Sequence, residues 1–459
     1  MARLRDYVRS GLARGDAYAR LSGPDQSYRL ADLLDGQVLA GPPADYAGTS
    51  VLLWTSRQES AAAALVALDG LARRIVLCPP DFKPEHLSQV VALADIDLIV
   101  SDDEIADAPV PVRAMPGLSR SLEWAEVAPV TVTQWALFTS GTTGLPKLVA
   151  HTLDTLTGAI RAAPPSQPGA APIIWATYYD IRRYGGLQIL LRALLGGASL
   201  GVTGPHEAVG DFLARLQRLG VTHLTGTPSH WRHALMSPRL HELGLSYVRL
   251  SGEIADQAIL DRLQAVFPQA RVGHAYASTE AGVGFEVTDG KEGFPAAYLD
   301  RSEGPVAMKL VDGVLHIRSD RAAARYLGAD APALVDAEAW VNTDDMVEVR
   351  ADRCLFMGRK AGLINVGGLK IHPEEVEAVI NRHPDVDLSR VYARRSPITG
   401  ALVAAEVVTR PDRNGNEMMK QQILAACRDY LGAAKTPVSL AFVPALPMTA
   451  GGKLERKRG

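Results

Sequence analysis

Residues 139–147, TSGTTGLPK, bring together two glycines, Gly141 and Gly144, the hydroxyls of Thr139, Ser140, Thr142 and Thr143, and the ammonium of Lys147. Backbone N–H groups left open by glycine, short hydroxyl donors and one cation are the parts of a phosphate cradle. The spacing differs from the Walker loop, in which Lys follows Gly directly and Ser or Thr follows Lys. Here Leu145 and Pro146 intervene and Leu148 follows, which disfavours an NTPase of that class. Taken alone, such a segment is as well explained by a plain Gly/Ser/Thr surface loop.

The string resembles the phosphate loop of the AMP-forming adenylating superfamily: acyl- and aryl-CoA synthetases, peptide-synthetase adenylation domains and luciferases. That resemblance implies further motifs in a set order, and they follow. Residues 276–280, YASTE, are similar to the YGxTE signature with Ala277 in place of Gly. By resemblance Tyr276 stacks on adenine, Thr279 contacts the α-phosphate region and Glu280 helps hold Mg²⁺, a role suited to a hard carboxylate oxygen. Residues 340–345, WVNTDD, resemble aromatic-x-x-Thr-Gly-Asp and assign Asp345 to the ribose hydroxyls, with Asp344 where Gly is usual.

Residues 358–377, GRKAGLINVGGLKIHPEEVE, are the longest match. They imply that Arg359 contacts ribose or phosphate, and that Gly367 and Gly368 line the pantetheine tunnel during thioester formation. The hinge position two after the Arg carries Ala361, followed by Gly362. Residues 446–456, LPMTAGGKLER, resemble PxTxxGKxxR and assign Lys453 to the acid carboxylate and α-phosphate during adenylation. Each motif alone has a bland alternative, a strand-end turn or a basic tail, but five in family order cover the chain from about residue 50 to its end.

The resemblance implies an enzyme using ATP, Mg²⁺ and coenzyme A. It activates a carboxylic acid to an acyl-AMP with release of pyrophosphate, then forms an acyl-CoA thioester. The alternative is a stand-alone adenylation enzyme that loads an acyl or aminoacyl group onto a carrier protein. A degenerate nucleotide-binding module is disfavoured because Lys147, Glu280, Asp345, Arg359 and Lys453 are all retained. The implied acid pocket draws on 178–186, 227–231, 251–253 and 282–285, with Tyr179, Arg183, Tyr184, His230, Gly252 and Gly282 as candidates. Arg183 could pair with a second carboxylate on the acid, or reach solvent or Asp180; Asp180 could instead meet an amino group.

The elements that must position these residues alternate. Strand-like 51–54, 75–77, 98–100, 173–177, 199–202, 221–225 and 247–250 alternate with helical 58–71, 84–93, 187–195, 208–219 and 254–266, the βαβ rhythm of a helix-covered parallel sheet. Residues 131–138 read as the strand that leads into the phosphate loop. After about Ser278 short alternating strands (307–311, 313–317, 347–349) suggest a β-rich subdomain. Beyond Gly358 come strand-like 364–371, helix 372–381, opened by Pro373, and strand 402–408. The expected fold is α/β: an N-terminal ATP- and acid-binding domain, 1–358, of helix-covered sheets with a small β-rich subdomain, and a mobile α+β C-terminal lid, 359–459, carrying the catalytic lysine.

Composition narrows the class further. Of 459 residues 47% are hydrophobic and 22% charged, the proportions of an ordinary globular protein. With 48 Lys+Arg against 51 Asp+Glu the formal charge is −3, so no global field holds a nucleic-acid backbone. Cys78, Cys354 and Cys427 show neither disulfide nor zinc spacing. No apolar targeting region opens the chain, and apolar windows such as 173–195 are broken by Asp180, Arg182, Arg183 and Arg192, so no membrane span and a cytoplasmic location are expected. The oligomeric state, monomer or homodimer, stays open.

Overall fold

Strands buried on both faces of a parallel sheet read as unbroken apolar runs, and Ser50–Leu53 and Leu98–Ser101 are buried along their whole length. The computed structural model describes residues 2–125, 127–139, 147–161, 172–300, 304–396, 400–449 and 451–455. Among these, Ser50–Leu53, Arg74–Leu77, Leu98–Ser101, Val112–Ala114 and Gln134–Thr139 form the parallel part of a seven-stranded sheet. Lys147–His151 and Arg325–Tyr326 extend it antiparallel. An eight-stranded sheet is parallel through Ile174–Thr177, Ser199–Val202, His223–Gly226, Tyr247–Ser251 and Arg271–Ser278, with Gly282–Val287 antiparallel at one edge.

Helices Gln58–Leu68 and Tyr184–Gly196 join residues of both sheets in one apolar cluster. Every residue of Gln58–Leu68 is buried, and its alanine run 61–64 keeps the helix thin; a helix apolar all round belongs in an interior. The N-terminal helix Leu4–Arg14 packs on the end of Tyr184–Gly196 at a contact of two glycines. Gly197 ends that helix with φ 60°, the left-handed cap that favours glycine. A methyl on Gly11 would lie 2.5 Å from the Leu194 carbonyl oxygen.

Arg353–Arg359, Val341–Arg350, Val314–Ser319 and Val306–Val311 pair antiparallel in the β-rich part, with Phe294–Pro295 at its edge. Residues 364–442 have a separate core of Ile364, Ile371, Val376, Val391, Val403, Ile423 and Cys427. It lies under a sheet of Leu369–Ile371, Ile364–Val366, Gly400–Thr409 and Val386–Ser396, with helices Pro373–Ile380 and Glu417–Leu431. One expectation changes here. The run 364–371 is two strands, and Gly367 (φ 57°) and Gly368 (φ 96°) are the turn between them, the positive-φ pair of a tight hairpin.

Leu4–Arg14, Glu417–Leu431, Val386–Ser396 and the parallel strands Val112–Ala114 and Arg271–Ser278 were not foreseen from sequence. The parallel strands expected from 51 to 100 and from 173 to 250 match to within two residues, and the one expected at 131–138 begins three residues later, at Gln134. Among the described residues no helix is long and apolar enough to cross a membrane. Replacing Gly11 by Ala forces a methyl into a backbone carbonyl. It is expected to destabilise the protein by about 1–3 kcal/mol, seen as a lower urea midpoint at unchanged slope; an unchanged midpoint would show that the two helices can part.

Candidate active site

Parallel strands end together, and two of these ends receive the loop that carries Lys453. At the first, Thr227 caps helix Pro228–Leu235: its Oγ1 accepts from the His230 N–H at 3.0 Å, and Pro228 sits at the first turn. The same hydroxyl donates to the Gly452 carbonyl at 2.6 Å. At the second, Tyr247–Ser251 runs into Gly252 and Glu253. The Glu253 carboxylate accepts from the Ser229 N–H at 3.0 Å and the Leu454 N–H at 2.9 Å, tying the helix start to the loop.

The loop itself is a tight turn: Thr449 N–H donates to the Lys453 carbonyl at 2.8 Å and Gly452 N–H to the Thr449 carbonyl at 2.8 Å. Gly452 (φ 66°) lies flat against His230, where a Cβ would fall 1.8 Å from ring atoms. The Lys453 side chain then passes over Gly252 (φ 85°); a Cβ there would meet Lys453 Cε at 3.5 Å.

Lys453 keeps a solvent-facing side, yet protein surrounds it on the others. That burial, with the guanidinia of Arg359 and Arg183, lowers its pKa below the ordinary lysine value, while Glu253 and Asp345 pull the other way. His230 is held near a pKa of about 3 by burial and so is neutral, with Nδ1 3.1 Å from the Thr227 N–H.

Asp345 and Arg359 are directly opposite each other on paired strands, which accounts for their ion pair at 3.3 Å. Tyr276 donates to the other Asp345 oxygen at 2.6 Å. Burial raises the Asp345 pKa, opposed by Arg359. The Tyr276 ring lies nearly parallel to Phe356 and Phe285, centroids 5.2 and 5.7 Å away, so protein rings already stack with it. Asp344 has φ 60°, and its N–H bonds to Asn342 Oδ1 at 2.9 Å. The motif position usually held by Gly is thus a left-handed one, which Asp tolerates better than most residues.

Thr139 and Lys147 face each other across the strand pair that the phosphate loop joins. Ser140, Gly141, Thr142, Thr143 and Gly144 lie outside the described residues. Lys147 Nζ sits 5.6 Å over the Tyr326 ring, and the Tyr326 hydroxyl bonds Glu280, so one tyrosine links loop cation to carboxylate. The Thr279 carbonyl is 2.7 Å from His151 Nε2; burial keeps that histidine neutral, with a pKa of about 4.

The pocket candidates divide. His230, Gly252 and Arg183 meet the lysine loop, Arg183 beside Gly451. Arg183 pairs with Asp81, whereas Asp180 is taken by Arg182 at 2.6 Å; neither the Asp180–Arg183 pair nor a free Asp180 is present. Tyr179 spends its hydroxyl on Gly226 and Ser251 backbone groups. Tyr184 turns into the interior beside His151, and Gly282 makes room for the Arg321 backbone. Gly367 and Gly368 are at an exposed hairpin tip. The individual roles of Glu253, Tyr326 and Asp81 were missed from sequence; the capping pattern at Thr227–Pro228 was the one local signal available for this docking site.

A cation delivered on a loop to the carboxyl ends of parallel strands, beside a carboxylate–arginine–tyrosine cluster, can meet an anion on one side and hydroxyl groups on the other. The comparisons supply the family. Residues 46–327, more than half the chain, match the family described as AMP-binding enzyme, and residues 375–453 match its C-terminal domain. The chain belongs to this AMP-binding enzyme family.

It is 27% identical over 350 residues to 4-coumarate–CoA ligase 2 of Nicotiana tabacum, a match covering 70% of this chain and 63% of that protein. The chain thus spans less than two thirds of that relative. It is 24% identical over 480 residues to surfactin synthase subunit 1 of Bacillus subtilis, covering 95% of this chain and 13% of that protein. A benzoate CoA ligase structure from Burkholderia xenovorans superposes with TM-score 0.79 at 18% identity, covering 99% of both chains. The anthranilate CoA ligase AuaEII with anthranoyl-AMP gives 0.79 at 19%, covering 99% and 95%. These structural likenesses concern the fold.

Removing the Glu253 carboxylate leaves the Leu454 and Ser229 N–H groups without their acceptor. Glu253→Ala is expected to speed hydrogen exchange at the Leu454 amide by about 10- to 100-fold, the effect of losing a hydrogen bond to a charged group. Unchanged exchange would mean that Glu253 does not hold the loop.

Proposed function

We propose that this chain activates a carboxylic acid with ATP, forming an acyl-AMP and pyrophosphate, and then transfers the acyl group to coenzyme A. The observation that carries the reading is the placement of Lys453 over Gly252, flanked by Arg183, Arg359 and Asp345. A carboxylate is already ionised near neutral pH, so it attacks the α-phosphorus without a general base. What the protein must supply is position and charge.

In this reading Lys453 neutralises charge between acid and α-phosphate, Lys147 and the loop hydroxyls hold the outgoing phosphates, and Asp345 receives the ribose hydroxyls. Thr279 lies by the α-phosphate. Adenine would use the part of the Tyr276 ring that Phe285 and Phe356 leave open. Glu280 would serve Mg²⁺ as one hard oxygen ligand, its carboxylate lying on the Tyr326 hydroxyl under Lys147. The ion, when bound, offsets charge on the phosphate oxygens.

We further propose that residues 1–358 and 359–459 act as two domains. Lys453 would be docked for adenylation in the arrangement described, and the 367–368 hairpin would turn inward for thioester formation. The free buried cysteines fit a reducing, cytoplasmic setting. The match to surfactin synthase subunit 1 along 95% of this chain favours one second reading, transfer to a carrier protein. Free coenzyme A added to preformed adenylate separates the two: thioester formation supports the first, indifference the second.

Lys453→Ala is expected to slow pyrophosphate release by about 10²–10³-fold with the fold intact; wild-type release would end the assignment. Because Lys453 acts as the cation and its pKa is depressed, the wild-type rate should fall with rising pH at an alkaline limb below the ordinary lysine value. Ala361→Pro fixes φ at the expected pivot and should impair thioester formation more than adenylation, and equal loss of both half-reactions would move the hinge elsewhere.

A further inference from the structure

Arg183, the cation that the sequence suggested for a second acid group, is already neutralised by Asp81. Uncompensated positive charge lies deeper. Along Tyr247–Ser251 side chains alternate between faces: Val248 and Leu250 enter an apolar cluster with Ala176, Leu224 and Val272, so Tyr247, Arg249 and Ser251 share the other face. Register places Trp175 and His223 on that face beside Tyr247, and Thr225 and Gly273 beside Arg249.

Glu286 folds over Gly273, where a Cβ would be 3.3 Å from its Oε1, and accepts from the Tyr247 hydroxyl at 2.5 Å. From helix Tyr184–Gly196, Arg192 reaches the same face, its guanidinium 5.9 Å over the Trp175 ring, with Nε buried and unpartnered among the described residues. Two arginines thus face one glutamate. Arg249 is 8% exposed; its burial is outweighed by Tyr247 and Glu286, which hold its pKa above the ordinary arginine value, so the one carboxylate is largely spent on it. Burial and the neighbouring Arg249 lower the Arg192 pKa to about 10, and burial with Arg192 keeps His223 neutral at about 4.

Two residues beyond Arg249 the strand reaches Ser251, then Gly252 under Lys453, so Arg249 sits roughly 7–10 Å along the strand from the lysine at about 3.3 Å per residue, with Arg192 deeper, over the Trp175 that is level with Tyr247. Thr177 and Thr225 lie level with Arg249, and between it and the lysine come Ser251, Ala275 and the Tyr179 hydroxyl bonded to Ser251, so Tyr179 forms a wall of this path. We propose that Arg192 and Arg249 form an anion subsite at the far end of the acid pocket, so that the acid activated here carries a second anionic group, a dicarboxylate in its simplest form. This rests on the acid-activating reading above.

Pyrophosphate release is measured for matched acids, adipate against hexanoate and terephthalate against 4-methylbenzoate, on the wild type, Arg192→Gln and Arg249→Met. The wild type should prefer at least one diacid by about tenfold or more in kcat/KM, since unpaired buried polar groups reject the neutral analogue. Arg192→Gln should erase most of that preference by raising KM for the diacid while leaving the monoacid nearly unchanged. Should Arg249→Met fail to fold, thermal stabilisation of the wild type by the diacid and not by its partner tests the subsite directly.

No preference in the wild type, or a preference that survives in folded Arg192→Gln, overturns the inference. Release confined to monocarboxylic acids defeats this subsite alone. Release with no acid at all defeats the acid-activating reading and the subsite with it.

Discussion

The site depends on one carboxylate that serves two chain segments at once. Glu253 accepts the Ser229 N–H in the first turn of helix Pro228–Leu235 and the Leu454 N–H beside Lys453. A helix start carries unsatisfied donors and partial positive charge, and a carboxylate there is favourable whether or not a loop is docked. The second oxygen can therefore bind the lysine loop without a separate site being built for it. Thr227 repeats the device: its hydroxyl caps the helix and reaches Gly452. Docking uses groups that the α/β architecture already requires at its strand ends, where open sheets gather their ligands.

Charge is managed locally. A chain with net charge −3 offers no general attraction for a polyanion, so each cation is held where it acts. Arg359 is fixed by its cross-strand partner Asp345, Lys147 lies over Tyr326, and Arg183 is tied to Asp81. Lys453 is different. Partial burial, together with two guanidinia among its neighbours, lowers its pKa while Glu253 and Asp345 oppose them, so an incoming anion would favour the charged form. Arg192, beside Arg249, shows the same imbalance deeper in the structure.

The parallel strands buried on both faces were legible because they are continuous apolar runs, and the helix–strand alternation fixed the class; Val112–Ala114, exposed throughout, and the half-buried Arg271–Ser278 carry no such run. The site motifs were legible because glycine and lysine spacing in 139–147, 358–377 and 446–456 is unusual. Other features follow from distant pairing that local pattern does not encode. Arg182 and Arg183 are neighbours in sequence, yet one belongs to Asp180 and the other to Asp81, more than a hundred residues upstream. Tyr179 reads as a pocket aromatic, but its hydroxyl closes backbone gaps at Gly226 and Ser251. The hairpin at 364–371 was read as one strand because its outer residues are apolar; the two positive-φ glycines decide it.

Departures from a motif carry structural information as well as doubt. At residue 344 the expected glycine is an aspartate, yet the backbone keeps the left-handed conformation that makes glycine usual. The Asn342 side chain bonds the Asp344 N–H, and the Thr343 hydroxyl receives the Asp345 N–H. Such side-chain turns are what allow a non-glycine residue into this region. The consequence falls on Asp345, whose carboxylate must still meet both Arg359 and Tyr276. A bulge in the strand pairing just after Met346 adjoins this turn, and Asp345 still lies opposite Arg359 across the strand pair. The position holds a left-handed dihedral, which an aspartate reaches here with its neighbours' side chains completing the turn.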